Sequence, residues 1–160
     1  MGERRSCANR EGRAEVSEPE RVVAKWAGEH LFDAGRTGRP AARFDGDGRA
    51  APSPVDALLA SVATCPAVDV VDILAKRRTP VESLEVEVVA ERADTIPRHL
   101  KHVMLNFRIA GAGIERVHAE RAVELAVEKY CSVRDSIRPD VPVEWKVELE
   151  SEKSMTATAK

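Results

Sequence analysis

Ser53-Pro54-Val55-Asp56-Ala57-Leu58-Leu59-Ala60-Ser61-Val62-Ala63-Thr64-Cys65-Pro66 opens the longest apolar run of the chain. Ser53 is a helix-capping hydroxyl, Pro54 suits the first helical position, and Asp56 stands three residues after the cap. The spacing predicts a helix from Ala57 to Lys76. Its first half, with Leu58, Leu59, Val62 and Ala63, leaves little polar face and belongs at the centre of a fold. One thin sheet cannot cover so apolar a helix, so a second subunit is expected to supply part of its burial. Pro66 has no N–H to give and crowds the preceding turn, so the helix is expected to kink or restart there. A restart would put Cys65 at the N-terminal end of a new segment. Free N–H groups and the helix dipole would favour a thiolate at that point.

Working outward, residues 21–26, 29–34 and 42–45 read as short strands broken by Gly28, Gly35, Gly38 and Pro40, and residues 46–52 as a loop. Past Thr79-Pro80 the period changes to two. Leu84, Val86, Val88 and Ala90 alternate with mostly charged residues, and Val103, Leu105, Phe107 and Ile109 repeat the pattern after a polar turn, giving a long hairpin. Ile114 to Tyr130 recurs at helical spacing and ends at Cys131, a further turn is read between Ser132 and Arg138, and Val143 to Leu149 forms a last alternating strand. The class expected is α+β, antiparallel strands with two helices on one side. One domain is expected over residues 21–150, between a disordered N-terminal tail (1–20) and a C-terminal tail (151–160).

Bulk properties narrow the function. A net charge of −2 over 160 residues gives no global reason to bind nucleic acid, and 4% aromatic residues offer no stacking surface for single strands. Asp56, Asp69, Asp72 and Lys76 interrupt the longest apolar run, so no membrane span is expected. The N-terminus lacks the apolar core of a signal peptide, making the cytoplasm the expected location. There thiols are kept reduced unless oxidation is their task.

The three cysteines are too sparse for a disulfide framework. Cys7 lies in the polar tail, whereas Cys65 and Cys131, 66 residues apart, each sit in an apolar helical run. Two readings stand: core packing by small apolar side chains, or a pair brought together for redox chemistry. A buried thiol is inert, so a reactive Cys65 would need an arginine nearby as well as a helix end. His99 and His102 fall on opposite faces of a strand, so a metal site with His30 or Cys65 would require a coincidence of folding. No metal and no cofactor is expected.

The run from Ser53 to Cys65 followed by Val68-Asp69-Val70-Val71-Asp72-Ile73-Leu74 resembles the first cysteine motif of the OsmC/Ohr family. The run from Ala122 to Val133, with Lys129-Tyr130-Cys131-Ser132-Val133, resembles the second motif of an OsmC-like branch. The resemblance implies an intertwined homodimer with two central helices wrapped by sheets. It implies a thiol peroxidase acting on organic hydroperoxides, Cys65 attacking and Cys131 resolving, re-reduced by a dithiol that in family members includes lipoyl groups. It also implies an arginine beside the attacking cysteine, held by a glutamate ten residues before it. That position is Val55 here, with Asp56 next to it, and Arg36 and Arg43 are the candidate arginines. Leu58, Leu59 and Val62 are the candidate lining of an apolar peroxide pocket. The alternative is a dimeric stress, redox-sensing or small-molecule-binding protein of the same fold without efficient peroxidase activity.

Overall fold

The computed structural model describes residues 19–150; the two expected tails fall almost wholly outside them, as does Cys7. The chain divides after Arg43 into two compact parts.

The first part is built on β1 (Val23–Gly28) and β2 (Leu31–Gly35), which pair antiparallel with Val23 opposite Gly35 and Trp26 opposite Phe32. Gly28 turns the hairpin at φ 107°, a value that glycine adopts without a Cβ clash. Trp26 Nε1 donates to the Glu29 carbonyl at 2.9 Å across the same turn. With β3 (Ala42–Asp45) these strands form a three-stranded sheet in sequence order. Large apolar side chains stand in the open on it: Trp26 is 70% exposed, and Val22, Val23 and Phe32 are exposed as well.

The second part opens with a loop organised by Asp45, a buried carboxylate that accepts N–H groups from Asp47 (2.9 Å), Arg49 (3.0 Å) and Ala50 (2.8 Å). Then comes α1 (Pro54–Lys76), started by a full capping box: Ser53 Oγ accepts from Asp56 N at 3.2 Å, and the Asp56 carboxylate accepts from Ser53 N at 2.9 Å. The helix runs without a break through Pro66. The expected restart at Pro66 does not occur, so Cys65 lies inside a helix and gains no N-terminal N–H groups. Pro66 deprives the Val62 carbonyl of its helical donor, a cost outweighed by the packing of Val62, Pro66, Val70 and Leu74, all buried along one continuous helix.

A hairpin of β4 (Ser83–Arg92) and β5 (Leu100–Ala110) follows, with Val86 opposite Phe107 and Val88 opposite Leu105. Helix α2 (Arg116–Glu124) passes into a π-helical turn over Leu125–Tyr130, then a single turn α3 (Ser132–Asp135) leads to β6 (Val143–Leu149). β6 pairs with β5 in parallel, Val103 beside Val143 and Phe107 beside Val147. This corrects the all-antiparallel expectation: two strands joined by a helical crossover enter the sheet in the same direction.

The core lies between this sheet and the helices. Val103, Leu105, Phe107 and Ile109 point inward from β5 and are fully buried, against Val62, Val70 and Leu74 of α1 and Ala119, Ala122, Val123 and Ala126 of the second helix. The outer face is charged, as alternation requires, with Arg108 paired to Glu85 and Asn106 donating to Glu87 at 2.9 Å. Phe107 is the largest fully enclosed side chain. Phe107→Ala is expected to cost about 3–5 kcal/mol, read as a lowered denaturant midpoint in equilibrium unfolding.

Helix α1 also corrects the expectation that no run is long and apolar enough to span a membrane: its mean hydropathy over an 18-residue window is 1.8. Only part of it is covered. Val62, Val70 and Leu74 are enclosed, while Val68 is 63% exposed and Leu58 and Val71 are exposed too.

Candidate functional site

The two cysteines come together in the second part. Cys65, half-buried, projects from the middle of α1, and Cys131 follows the π-helical turn at the end of the second helix. That turn matters to the placement. A π turn is wider than an α turn and re-phases the residues that follow. Cys131 leaves helical geometry at φ −74°, ψ 96° and becomes the N-cap of α3, which packs on α1. The two thiols are neighbours, and Cys65 acts on the ionisation of Cys131. Both are free thiols.

Their environments differ. Cys131 is 4% exposed, and its Sγ accepts the Arg134 N–H at 3.2 Å, with the Val133 N–H contributing as well. Burial pushes the Cys131 thiol up, the backbone N–H of Arg134 opposes that, and the neighbouring Cys65 sulfur adds to the rise. Cys131 is therefore held as a neutral thiol at neutral pH. An open cavity of about 210 Å³ lies beside it, walled by Tyr130, Ser132, Arg134 and Asp135.

The remaining expected residues fall as follows. Asp56 is the capping carboxylate of α1; it also accepts the Ser53 hydroxyl at 2.7 Å, and that bond holds it below the usual carboxylate range. Arg36 is exposed and paired with Glu20. Arg43 is held by Asp33 through two hydrogen bonds of 2.8 Å each. Both arginines belong to the first part. Leu58 is exposed and Leu59 half-buried, as pocket-lining residues can be. Val62 is not available to a ligand: it is fully enclosed against the core, on the face of α1 turned toward the sheet. His102 pairs with Glu144 at 2.8 Å and His99 Nδ1 lies 3.2 Å from the Pro97 carbonyl. Among the described residues no three His, Cys, Asp or Glu side chains cluster as a metal site.

Arg134 was absent from the expected site, yet it meets Cys131 through its N–H and lines the cavity. The signal lay in the spacing: a capping residue bonds the N–H three residues on, and Arg134 is three residues after Cys131.

Asp56 and Asp45 both have lowered pKa values, by hydrogen bonds from Ser53 and from loop N–H groups respectively. Carboxylates held down in the folded state contribute stability above their unfolded value, and that contribution fades as pH falls through the folded value. Melting temperature is thus expected to fall on acidification below about pH 4, less steeply in Asp45→Asn and Asp56→Asn. Ser53→Ala, which removes the cap hydroxyl, is expected to cost roughly 0.5–2 kcal/mol at neutral pH.

The sequence profile described as OsmC-like protein matches residues 45–146. Protein YhfA of Escherichia coli K12 is 42% identical over 91 residues, covering 56% of this chain and 68% of its own. The crystal structure of an OsmC-like protein from Mycoplasma pneumoniae superposes with a TM-score of 0.72 at 12% identity, over 85% of this chain and 100% of that one. The organic hydroperoxide resistance protein OhrB of Bacillus subtilis superposes with a TM-score of 0.54 at 16% identity, over 82% and 98% of the two chains. The OhrB match at this identity speaks to the shared fold.

Proposed function

The chain belongs to the OsmC-like protein family, and on that premise we propose that it is a thiol peroxidase of organic hydroperoxides working as a homodimer. The observation that carries the reading is the meeting of Cys65 and Cys131, 66 residues apart in sequence, with thiols close enough to interact.

In the proposed reaction the Cys65 thiolate attacks the terminal oxygen of a hydroperoxide. An S–O bond forms, the O–O bond breaks, and the alkoxide leaves as an alcohol after taking a proton. Cys131 then gives up its proton and attacks the Cys65 sulfur, forming the S–S bond as the S–O bond breaks and water leaves. The Arg134 N–H, already on the Cys131 sulfur, would steady the charge that builds there. A dithiol, with lipoyl groups one candidate, attacks the disulfide and returns both thiols while becoming a disulfide itself. A cytoplasmic location, where such reductants keep thiols reduced, is part of the proposal.

The homodimer is supported by the apolar surface each part leaves open: Leu58, Val68 and Val71 on α1, and separately Val22, Trp26 and Phe32 on the first sheet. Residues Leu58 and Leu59 would favour an alkyl hydroperoxide over hydrogen peroxide. The arginine that partners the Cys65 sulfur during attack is proposed to be Arg36 or Arg43, and Arg36→Ala and Arg43→Ala compare them.

The test is steady-state consumption of cumene hydroperoxide and hydrogen peroxide by the reduced protein with dihydrolipoamide. Faster turnover of the alkyl peroxide is expected; turnover of neither, or of hydrogen peroxide faster, overturns the reading. One observation favours a second reading, a dimeric redox-sensing or small-molecule-binding protein: the Asp56 carboxylate is engaged by Ser53 as a cap and so is drawn away from holding an arginine. In that case Cys65 would oxidise no faster than a free thiol.

A further inference from the structure

A second site is built at the far end of α1. Ile73, from the last two turns of that helix, and Leu125, from the π-helical turn after α2, form the apolar floor of a half-open cavity of about 290 Å³. Ile73 is eight residues beyond Cys65, about 12 Å along the helix axis, so the cavity is separate from the thiols. Its rim carries Lys76, Arg77, His118 and Arg121. Arg121 is paired with Glu124 at 2.6 Å and His118 lies 3.8 Å from Glu115. No ion pair engages Lys76 or Arg77 among the described residues.

An apolar floor under two cations without an ion-pair partner is complementary to one chemical class, a molecule with an aliphatic tail and an anionic head. We propose that this cavity binds a single-chain acyl carboxylate, its tail against Ile73 and Leu125 and its head at Lys76 and Arg77. The volume sits at the lower edge of ligand pockets, which begin at roughly 300 Å³, and so accepts one short or medium chain. Neither Lys76 nor Arg77 has a part in the proposed thiol chemistry, and the site stands whether or not the protein is a peroxidase.

The test is isothermal titration of the full chain, in its own oligomeric state, with decanoate below its micelle concentration. Saturable binding of one decanoate per chain is expected, with decanol and acetate each at least about tenfold weaker, since each lacks one half of the complement. Lys76→Glu/Arg77→Glu is expected to weaken decanoate by at least about tenfold while binding of decanol stays unchanged. Absence of saturable heat, which includes the case of a second copy of the chain covering the cavity, overturns the proposal. So does equal affinity for decanol and decanoate in the unaltered protein, a comparison that needs no variant to fold.

Discussion

Replacing Cys65 by serine is expected to lower turnover of cumene hydroperoxide by about a thousandfold or more, leaving the fold intact. A serine hydroxyl does not ionise at neutral pH, so the nucleophile that attacks the O–O bond is gone rather than weakened. The site tolerates the exchange structurally because Cys65 is half-buried and its neighbour Thr64 already shows how this helix accommodates a hydroxyl, with its Oγ1 donating to the Ala60 carbonyl at 2.8 Å. A loss of activity accompanied by a melting temperature close to that of the parent protein assigns the effect to chemistry. Retained turnover would remove Cys65 from the attacking role.

The second large effect separates the two cysteines by kinetics. Cys131→Ser is expected to preserve the first oxidation of Cys65 at close to the parent rate, yet to lower steady-state turnover with a dithiol by about tenfold or more. Without a resolving thiol the Cys65 sulfenic acid persists and is open to further, irreversible oxidation. Serine is among the best N-cap residues, so the Arg134 N–H keeps an acceptor and α3 keeps its start. Stability should therefore change little. Mass spectrometry of the peroxide-treated variant is expected to find sulfenic, sulfinic or sulfonic Cys65; a variant that turns over like the parent would show that Cys131 has no part in resolution.

Much of the fold was legible because its signals are local. The Ser53-Pro54-Val55-Asp56 cap, the period-two runs of β4 and β5 and the apolar face of α2 all state their structure within a few residues. The direction of β6 was not, since Val143 to Leu149 alternates in the same way whether paired parallel or antiparallel. At Pro66 the restart failed to appear for a related reason. Proline disfavours a helix interior, but its cost is set against everything the continuous helix packs, and Val62, Val70 and Leu74 are fully enclosed on the same helix. Long-range packing outweighed a local preference that was correctly read.

The site was legible in part. The two cysteine-bearing runs stood out, and the structure brings their sulfurs together. What makes Cys131 unlike Cys65 was hidden, because it depends on the π-helical turn from Leu125 to Tyr130, and nothing in those apolar and charged residues marks a wider turn. Val62 was placed in a pocket because its helix is apolar on all sides, which leaves sequence unable to tell the face toward the sheet from the face toward an open surface. Asp56 served two readings at once, and the hydrogen bonds to Ser53 assign its cap role.

In the proposed function the sulfurs of Cys65 and Cys131 meet in order to exchange electrons with a peroxide. The most direct measurement is stopped-flow mixing of fully reduced protein with cumene hydroperoxide, quenched with an alkylating agent and mapped by mass spectrometry. Rapid appearance of a Cys65–Cys131 disulfide within one chain is expected, with one peroxide consumed per disulfide formed. Oxidation no faster than that of a free thiol, or a disulfide through Cys7 in place of Cys131, would contradict it.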